Sequence, residues 1–187
     1  MILPPPARKL VLAVHLSCSV GWLGAVVAYL VLDLTVATSQ DAVAVRSAWM
    51  AMGLVVSWAI VPLALASLLT GLVIALGTKW GLFRHWWVLI SFVLTVLATL
   101  VLLVESGVVT RSAAMAASMS AEEVLALQPT LVHSVGGLGV LLVVQVLNVY
   151  KPQGLTPYGW RKQQKQRRQL RGSASLRPMT PDVVREP

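Results

Sequence analysis

Histidine side chains are the residues of this chain best suited to bind haem or a metal ion. His15 and His85 fall towards the same end of the apolar segments described below, whereas His133 falls near the opposite end. Imidazole binds haem iron and copper, and histidines on facing helices often hold such a group. The sequence therefore predicts a candidate haem b or metal site at His15 and His85. In the alternative interpretation, His15 is hydrogen-bonded between helices and His85 lies at the membrane interface.

A second candidate site combines methionines with the third histidine. Met50 and Met52 begin an apolar segment, and Met115 and Met119 lie one helical turn apart in a later connection, at a depth similar to that of His133. Thioether sulfur and imidazole suit Cu(I). Methionine is also an ordinary packing residue, so hydrophobic packing is the alternative interpretation of this set.

Motifs for conventional catalysis are missing from the sequence. It contains no G-x-S-x-G, H-E-x-x-H or P-loop pattern, which are typical of hydrolases, zinc proteases and nucleotide-binding proteins. Cys18 is the single cysteine, so an intrachain disulfide is excluded. We expect no catalytic residues and a protein that is not an enzyme.

The composition excludes an ordinary water-soluble protein. Apolar residues make up 57% of the chain and charged residues 12%, with a mean hydropathy of +0.77. Soluble domains are roughly half apolar and about a quarter charged. Segments 10–32, 49–76, 86–104 and 131–150 are each apolar and long enough to cross a bilayer, and none contains lysine or arginine. We predict an all-α, four-helix transmembrane bundle over residues 10–150, with a kink at Pro62.

The distribution of charge predicts how the bundle is oriented. All but two of the 15 Lys and Arg residues fall in residues 1–9, in the connection between the second and third segments, or after residue 150. The other two connections hold most of the acidic residues. By the positive-inside rule, both termini are cytoplasmic in a bacterial inner membrane.

The C-terminal segment 151–187 is predicted to be a basic, disordered cytoplasmic tail. Its densest basic run contains no acid and comprises Arg161, Lys162, Lys165, Arg167, Arg168 and Arg171. Basic residues close to anionic lipid headgroups each contribute ~1 kcal/mol of binding free energy. The alternative is a solvated tail. Nucleic-acid binding is not expected, because no aromatic residues that could stack on bases are interleaved in the run.

Small and hydroxylated residues are expected to form the contacts between helices, because lipid provides no hydrophobic drive for association. The fourth segment, for example, carries Gly136, Gly137 and Gly139. Such faces would either pack inside the bundle or join two copies, so a homo-oligomer is an open alternative. In the connection 105–130, Ser120 and Glu123 have the spacing of a capping box, which predicts a short helix.

Three passages of the sequence resemble a family of small, uncharacterised bacterial integral membrane proteins with four spans. They are His15-Leu-Ser-Cys-Ser-Val-Gly-Trp-Leu-Gly24, Trp80-Gly-Leu-Phe-Arg-His-Trp-Trp87, and His133-Ser-Val-Gly-Gly-Leu-Gly139 with the exit Tyr150-Lys-Pro-Gln-Gly-Leu-Thr-Pro-Tyr-Gly159. The resemblance extends from Lys9 to Lys162 and implies a fold and a membrane location but no activity. More distantly, the first helix is similar to the membrane domain of copper-resistance D proteins.

These observations lead to one expected function and two alternatives. We expect a non-enzymatic integral membrane protein whose basic tail contacts partner proteins or anionic lipid. The first alternative is a haem- or copper-binding membrane protein in redox or metal handling. The second is a subunit of an oligomeric transporter, which would need a polar pathway that the apolar middles of the four segments do not offer.

Overall fold

The computed structural model describes residues 3–77 and 81–175, which are helical apart from short connections and one isolated β-bridge between His85 and Leu155. The helices are α1 (Pro5–Thr38), α2 (Ala42–Val55), α3 (Val61–Gly77), α4 (Trp86–Ala116), α5 (Ala121–Leu125), α6 (Leu131–Tyr150) and α7 (Pro157–Ser175). A π-helical turn, Val56–Ile60, joins α2 to α3 in one continuous segment.

Four helical segments are long and apolar enough to cross a membrane, which supports a multi-pass membrane protein. They are α1, the continuous segment Ala42–Gly77, α4 and α6. Each contains the corresponding predicted span. The first three are longer than predicted, since the first helix continues to Thr38, the second segment begins at Ala42 and the third helix continues to Ala116.

The helices pack around two central ones. α1 contacts α2, α3 and α6, and α4 contacts the same three helices from its own side. α2 and α4 approach each other closely at Gly53, where an added Cβ would lie 2.7 Å from the Cβ of Ala113 in α4. Glycine therefore allows the two backbones to approach, as expected for association in lipid.

The second membrane segment passes through Pro62 by way of the π-helical turn. The N–H of Val61 bonds to the carbonyl of Val56, five residues back. In a regular α-helix the proline ring would clash with the carbonyl group four residues before it, which here belongs to Trp58. The wider π turn lies at that point and explains how the segment accommodates the proline.

The glycines of α6 do not all face the other helices as expected. Gly136 and Gly139 are exposed, and a Cβ added to either would meet nothing within 4 Å. The buried residues of α6 are Ser134 and Leu141, seven positions apart and hence on one face. α6 packs through that face, and neither Gly136 nor Gly139 makes a close contact with another helix.

The tail differs from the disorder predicted for residues 151–187. Residues Pro157–Ser175 form α7, which begins with Thr156 as its N-cap, since the Gly159 N–H donates to the Thr156 hydroxyl at 3.1 Å. Proline at the first helical position and the many Gln, Lys and Arg residues also favour a helix. Residues 176–187 lie outside the described residues.

The described connections between the four long helical segments lie at the two ends of these segments, and we name each end by its charge. The basic end comprises the start of α1, residues 81–85 and residues 151–175. The acidic end comprises the end of α1, residues 39–41, and the chain from Glu105 to Ser134.

Candidate functional sites at the two ends of the helices

A buried carboxylate joins α1 to α6 at the acidic end. Asp33 is 0% exposed and lies one helical turn after Tyr29. Its carboxylate accepts the Thr130 backbone N–H at 2.8 Å, the Thr130 hydroxyl at 3.1 Å and the Ser134 hydroxyl at 2.7 Å. Three donors that converge on one carboxylate offset the cost of burying its charge.

The same network extends to a tyrosine on α1. The Tyr29 and Thr130 hydroxyl oxygens are 2.8 Å apart. Because the Thr130 hydroxyl donates to Asp33, the Tyr29 O–H is left to donate to Thr130. The start of α6 is therefore fixed to two successive turns of α1.

Beside this network lies a cavity of about 360 Å³ between α1, α4 and α6. Its walls are mostly apolar, and Trp22, Tyr29, Glu105 and His133 contribute to its lining. The His133 Nε2 atom lies 3.4 Å from a carboxylate oxygen of Glu105, with the two side chains 50% and 24% exposed. The cavity thus has one polar end and one apolar end, as small-molecule sites commonly do.

Arg46 caps the C-terminal end of α4 at the acidic end. The guanidinium of Arg46 donates to the carbonyls of Ala116 at 2.6 Å, Ala117 at 3.0 Å and Met119 at 2.6 Å. The last carbonyls of a helix lack partners within the helix, and a cation there also interacts favourably with the helix dipole. Arg46 is therefore a structural residue that holds α2 against the end of α4.

At the basic end, the chain after α6 pairs with the residues before α4. The Trp86 N–H donates to the Gly154 carbonyl at 3.2 Å, and the Thr156 N–H donates to the Arg84 carbonyl at 3.1 Å. The Thr156 hydroxyl also contacts the carbonyl of Phe83. We call residues 83–86 together with 154–159 the basic-end junction.

A glycine makes the basic-end junction sterically feasible. Gly159 is buried in the first turn of α7, and a Cβ added there would collide with the carbonyl of Arg84. The unusual exit Gly154-Leu-Thr-Pro-Tyr-Gly159 therefore has a structural role, since it attaches the start of α7 to the residues that precede α4.

Beyond its first turn, α7 presents its basic residues to the surroundings. Arg161, Lys162, Lys165 and Arg168 are exposed and lie at helical spacing along one face, next to Tyr158. We call these four residues the basic face. Arg167 is exposed on a different side of α7. Arg171 also belongs to α7.

The predicted haem ligands lie in different surroundings. His15 packs against α3, where its Nδ1 is 3.1 Å from both the Ser67 carbonyl oxygen and the Thr70 hydroxyl. A Cβ added to Gly71 would lie 3.0 Å from the His15 ring, so glycine makes room for the imidazole. His85 is the N-cap of α4, within the basic-end junction. Haem or metal shared by His15 and His85 stays a prediction.

The predicted copper ligands divide between the core and the exposed surface. Met52 is fully buried in the hydrophobic core and Met119 packs against it, whereas Met50 and Met115 are 47% and 42% exposed. His133 lies beside Glu105. In residues 3–77 and 81–175, no three His, Cys, Asp or Glu side chains are grouped so as to hold a metal ion. A copper site that includes methionines stays a prediction.

No protein-family model, no curated protein and no solved structure matches this chain. The resemblance to a four-span family therefore stays a prediction as well.

Sequence reasoning missed the residues that organise the acidic end. Asp33, Glu105 and Arg46 were counted only as charges outside the predicted spans. Asp33 did carry a signal, since it lies four positions after Tyr29 in a run that is otherwise apolar. An ionisable residue in such a run points to a buried partner. The identity of that partner, 97 positions later in the chain, had no local signal.

Proposed function

We propose that this protein is a non-enzymatic inner-membrane protein whose helix α7 binds the anionic surface of the cytoplasmic leaflet. Its four long helices form a transmembrane bundle, with both termini in the cytoplasm. The observation that carries the proposal is the exposed basic face of α7, on a helix whose first turn is attached to the basic-end junction.

The attachment supports this function by limiting where α7 can go. The junction holds the start of α7 beside the first residue of α4, Trp86, which is itself exposed. Tyr158 and Trp160 in the first turn of α7 are also largely exposed. Aromatic side chains of this kind favour the headgroup region of a bilayer. The basic face that follows them is then within reach of the lipid surface.

Electrostatic attraction supplies the binding free energy in this proposal. Each basic residue near an anionic leaflet contributes ~1 kcal/mol, and the effect decays over a Debye length of about 8 Å. A helix with its side chains is about 10–12 Å across. Residues of the basic face should therefore contribute more than basic residues on the opposite side of the same helix.

The experiment measures docking of α7 on nanodiscs that contain the full chain. A fluorophore is attached through Gln169→Cys in a Cys18→Ala background, and its quenching by a lipid with a nitroxide headgroup is recorded. We expect strong quenching in nanodiscs with phosphatidylglycerol and weak quenching in phosphatidylcholine alone. Added salt should reverse the quenching, because the attraction is screened.

A matched pair of variants tests the assigned face. Arg168→Gln removes a charge from the basic face, and Arg167→Gln removes an equal charge from a neighbouring position on another side. Arg168→Gln should lower the docking constant about fivefold, which corresponds to ~1 kcal/mol, and Arg167→Gln should lower it less. Quenching that is independent of phosphatidylglycerol, or equal losses in the two variants, would contradict the proposal.

A further inference from the structure

We infer that the cavity between α1, α4 and α6 is a second binding site, for a lipophilic organic cation. Such a molecule would place its positive charge beside Glu105 and its apolar part between the helices. This inference concerns the acidic end and is independent of lipid binding by α7.

The shape of the cavity points to a ligand with a large apolar part. Its volume of about 360 Å³ falls in the range of ordinary small-molecule sites, about 300–1,000 Å³. On α4, residues from Leu94 to Val109 line the cavity, and the part from Glu105 to Leu94 is roughly 16 Å long at the helical rise. An apolar group that enters beside Glu105 can therefore extend towards the middle of the membrane segment.

Charge complementarity favours a cation over a neutral or anionic ligand. Glu105 lines the cavity, and its described partner there is the imidazole of His133. At this 3.4 Å contact the imidazole offsets the negative charge of the carboxylate only when the ring is protonated. An anionic ligand would meet this carboxylate, and Ser134, which also lines the cavity, already donates its hydroxyl to a second carboxylate, that of Asp33.

Aromatic side chains strengthen the case for a cation. Trp22 and Tyr29 lie two helical turns apart on α1, and both line the cavity. The faces of aromatic rings attract organic cations, and this attraction grows when water is excluded. Tyr29 and the Glu105 carboxylate would therefore meet the cation, whereas Trp22, two turns away, would meet the apolar part of the ligand.

The test uses two probes of nearly equal size and shape that differ in the sign of their charge. Tetraphenylphosphonium and tetraphenylborate are each equilibrated with the full chain in phosphatidylcholine nanodiscs, and binding to empty nanodiscs is subtracted. We expect saturable binding of the phosphonium alone. Glu105→Gln should weaken that binding by about tenfold or more, because it removes the charge and keeps the shape. Glu122→Gln, at an exposed acid of the same end, should leave it unchanged.

A variant that fills the cavity separates binding inside it from attraction to the surface. Val140 lines the cavity on α6, so Val140→Phe should abolish phosphonium binding while the thermal unfolding midpoint stays close to that of the parent protein. The inference is wrong if the borate binds as tightly as the phosphonium. It is equally wrong if Glu105→Gln or a folded Val140→Phe protein retains full phosphonium binding.

Discussion

The two ends of this molecule both connect distant parts of the chain, but they do so with different chemical groups. At the acidic end, one buried carboxylate gathers three donors from the start of α6, and one guanidinium collects three carbonyls at the end of α4. At the basic end, backbone N–H and C=O groups of the basic-end junction pair with each other, and the helix that follows is exposed.

This difference suits two kinds of binding. Side chains such as Asp33 and Arg46 can join two helices without bringing long stretches of their backbones together. A cavity can therefore remain beside such a contact. Backbone pairing holds a short segment in a fixed place, and a helix that leaves such a segment can present a whole charged face. The acidic end is therefore suited to enclose a small molecule, and the basic end to meet an extended surface.

The largest effect of a single substitution should come from Asp33. Asp33→Leu removes the acceptor of the Thr130 N–H and leaves the buried Ser134 hydroxyl with only its longer bond, 3.3 Å to the Leu131 carbonyl. It should lower the free energy of unfolding by about 3 kcal/mol. The control is Asp41→Ala, which removes an exposed N-cap that accepts the Val43 N–H and should cost about 1 kcal/mol. Thermal unfolding in mild detergent measures both. Equal losses would contradict the buried network.

Arg46 should have the second largest effect. Arg46→Gln removes charge-assisted bonds to three carbonyls and should cost about 2 kcal/mol, with faster amide hydrogen exchange at the end of α4. Arg111→Gln removes the same charge from an exposed position of α4. That control should leave exchange unchanged; if it has the same effect as Arg46→Gln, net charge rather than capping is responsible.

Gly159 tests the backbone pairing of the basic end. Gly159→Ala forces a Cβ against the Arg84 carbonyl, so the junction should open locally at a cost of about 1–2 kcal/mol. Hydrogen exchange at the Trp86 and Thr156 amides should accelerate while the acidic end is unaffected. In the control, Gly139→Ala, the added Cβ meets open space, and exchange should stay as in the parent protein. Unchanged exchange in Gly159→Ala would refute the junction.

The smallest effect is a pH dependence confined to α5. The Ser120 N–H, 2.7 Å from the Glu123 carboxylate, and the Ser120 hydroxyl lower the pKa of Glu123 below its ordinary value of 4.5. The carboxylate therefore stabilises α5 fully above that value, and this stabilisation is lost as the pH falls through the lowered pKa. Exchange at the Ser120 amide should accelerate in acid, and Glu123→Gln should abolish that dependence. A dependence that persists in Glu123→Gln would exclude the capping box as its source.

Local signals in the sequence were sufficient for some elements. The four apolar segments are present as helices, and the capping box at Ser120 and Glu123 is confirmed. Each of these predictions depends only on residues that lie near one another in the sequence. At Pro62 the structure has a π-helical turn just before the proline, and the predicted kink there stays a prediction.

The remaining features depend on partners that no local pattern specifies. Arg46 meets carbonyls 70 or more positions later, and Thr156 meets residues before α4. For His15, a hydrogen bond between helices is one of the two interpretations that the sequence allows, but its contact with Ser67 depends on how α1 packs against α3. The helical state of α7 could have been predicted from its composition and its N-cap, because Thr156, Pro157 and the basic run all favour a helix.

A labelling experiment in intact cells can determine on which side of the membrane the acidic end and α7 lie. Cysteine is introduced at one position per protein in a Cys18→Ala background, by Gln128→Cys at the acidic end or Gln169→Cys in α7. Both are labelled with a membrane-impermeant maleimide. We expect Gln128→Cys to be labelled in intact cells and Gln169→Cys to be labelled only after permeabilisation. The reverse pattern would place α7 outside the cell and contradict its proposed binding to the cytoplasmic leaflet.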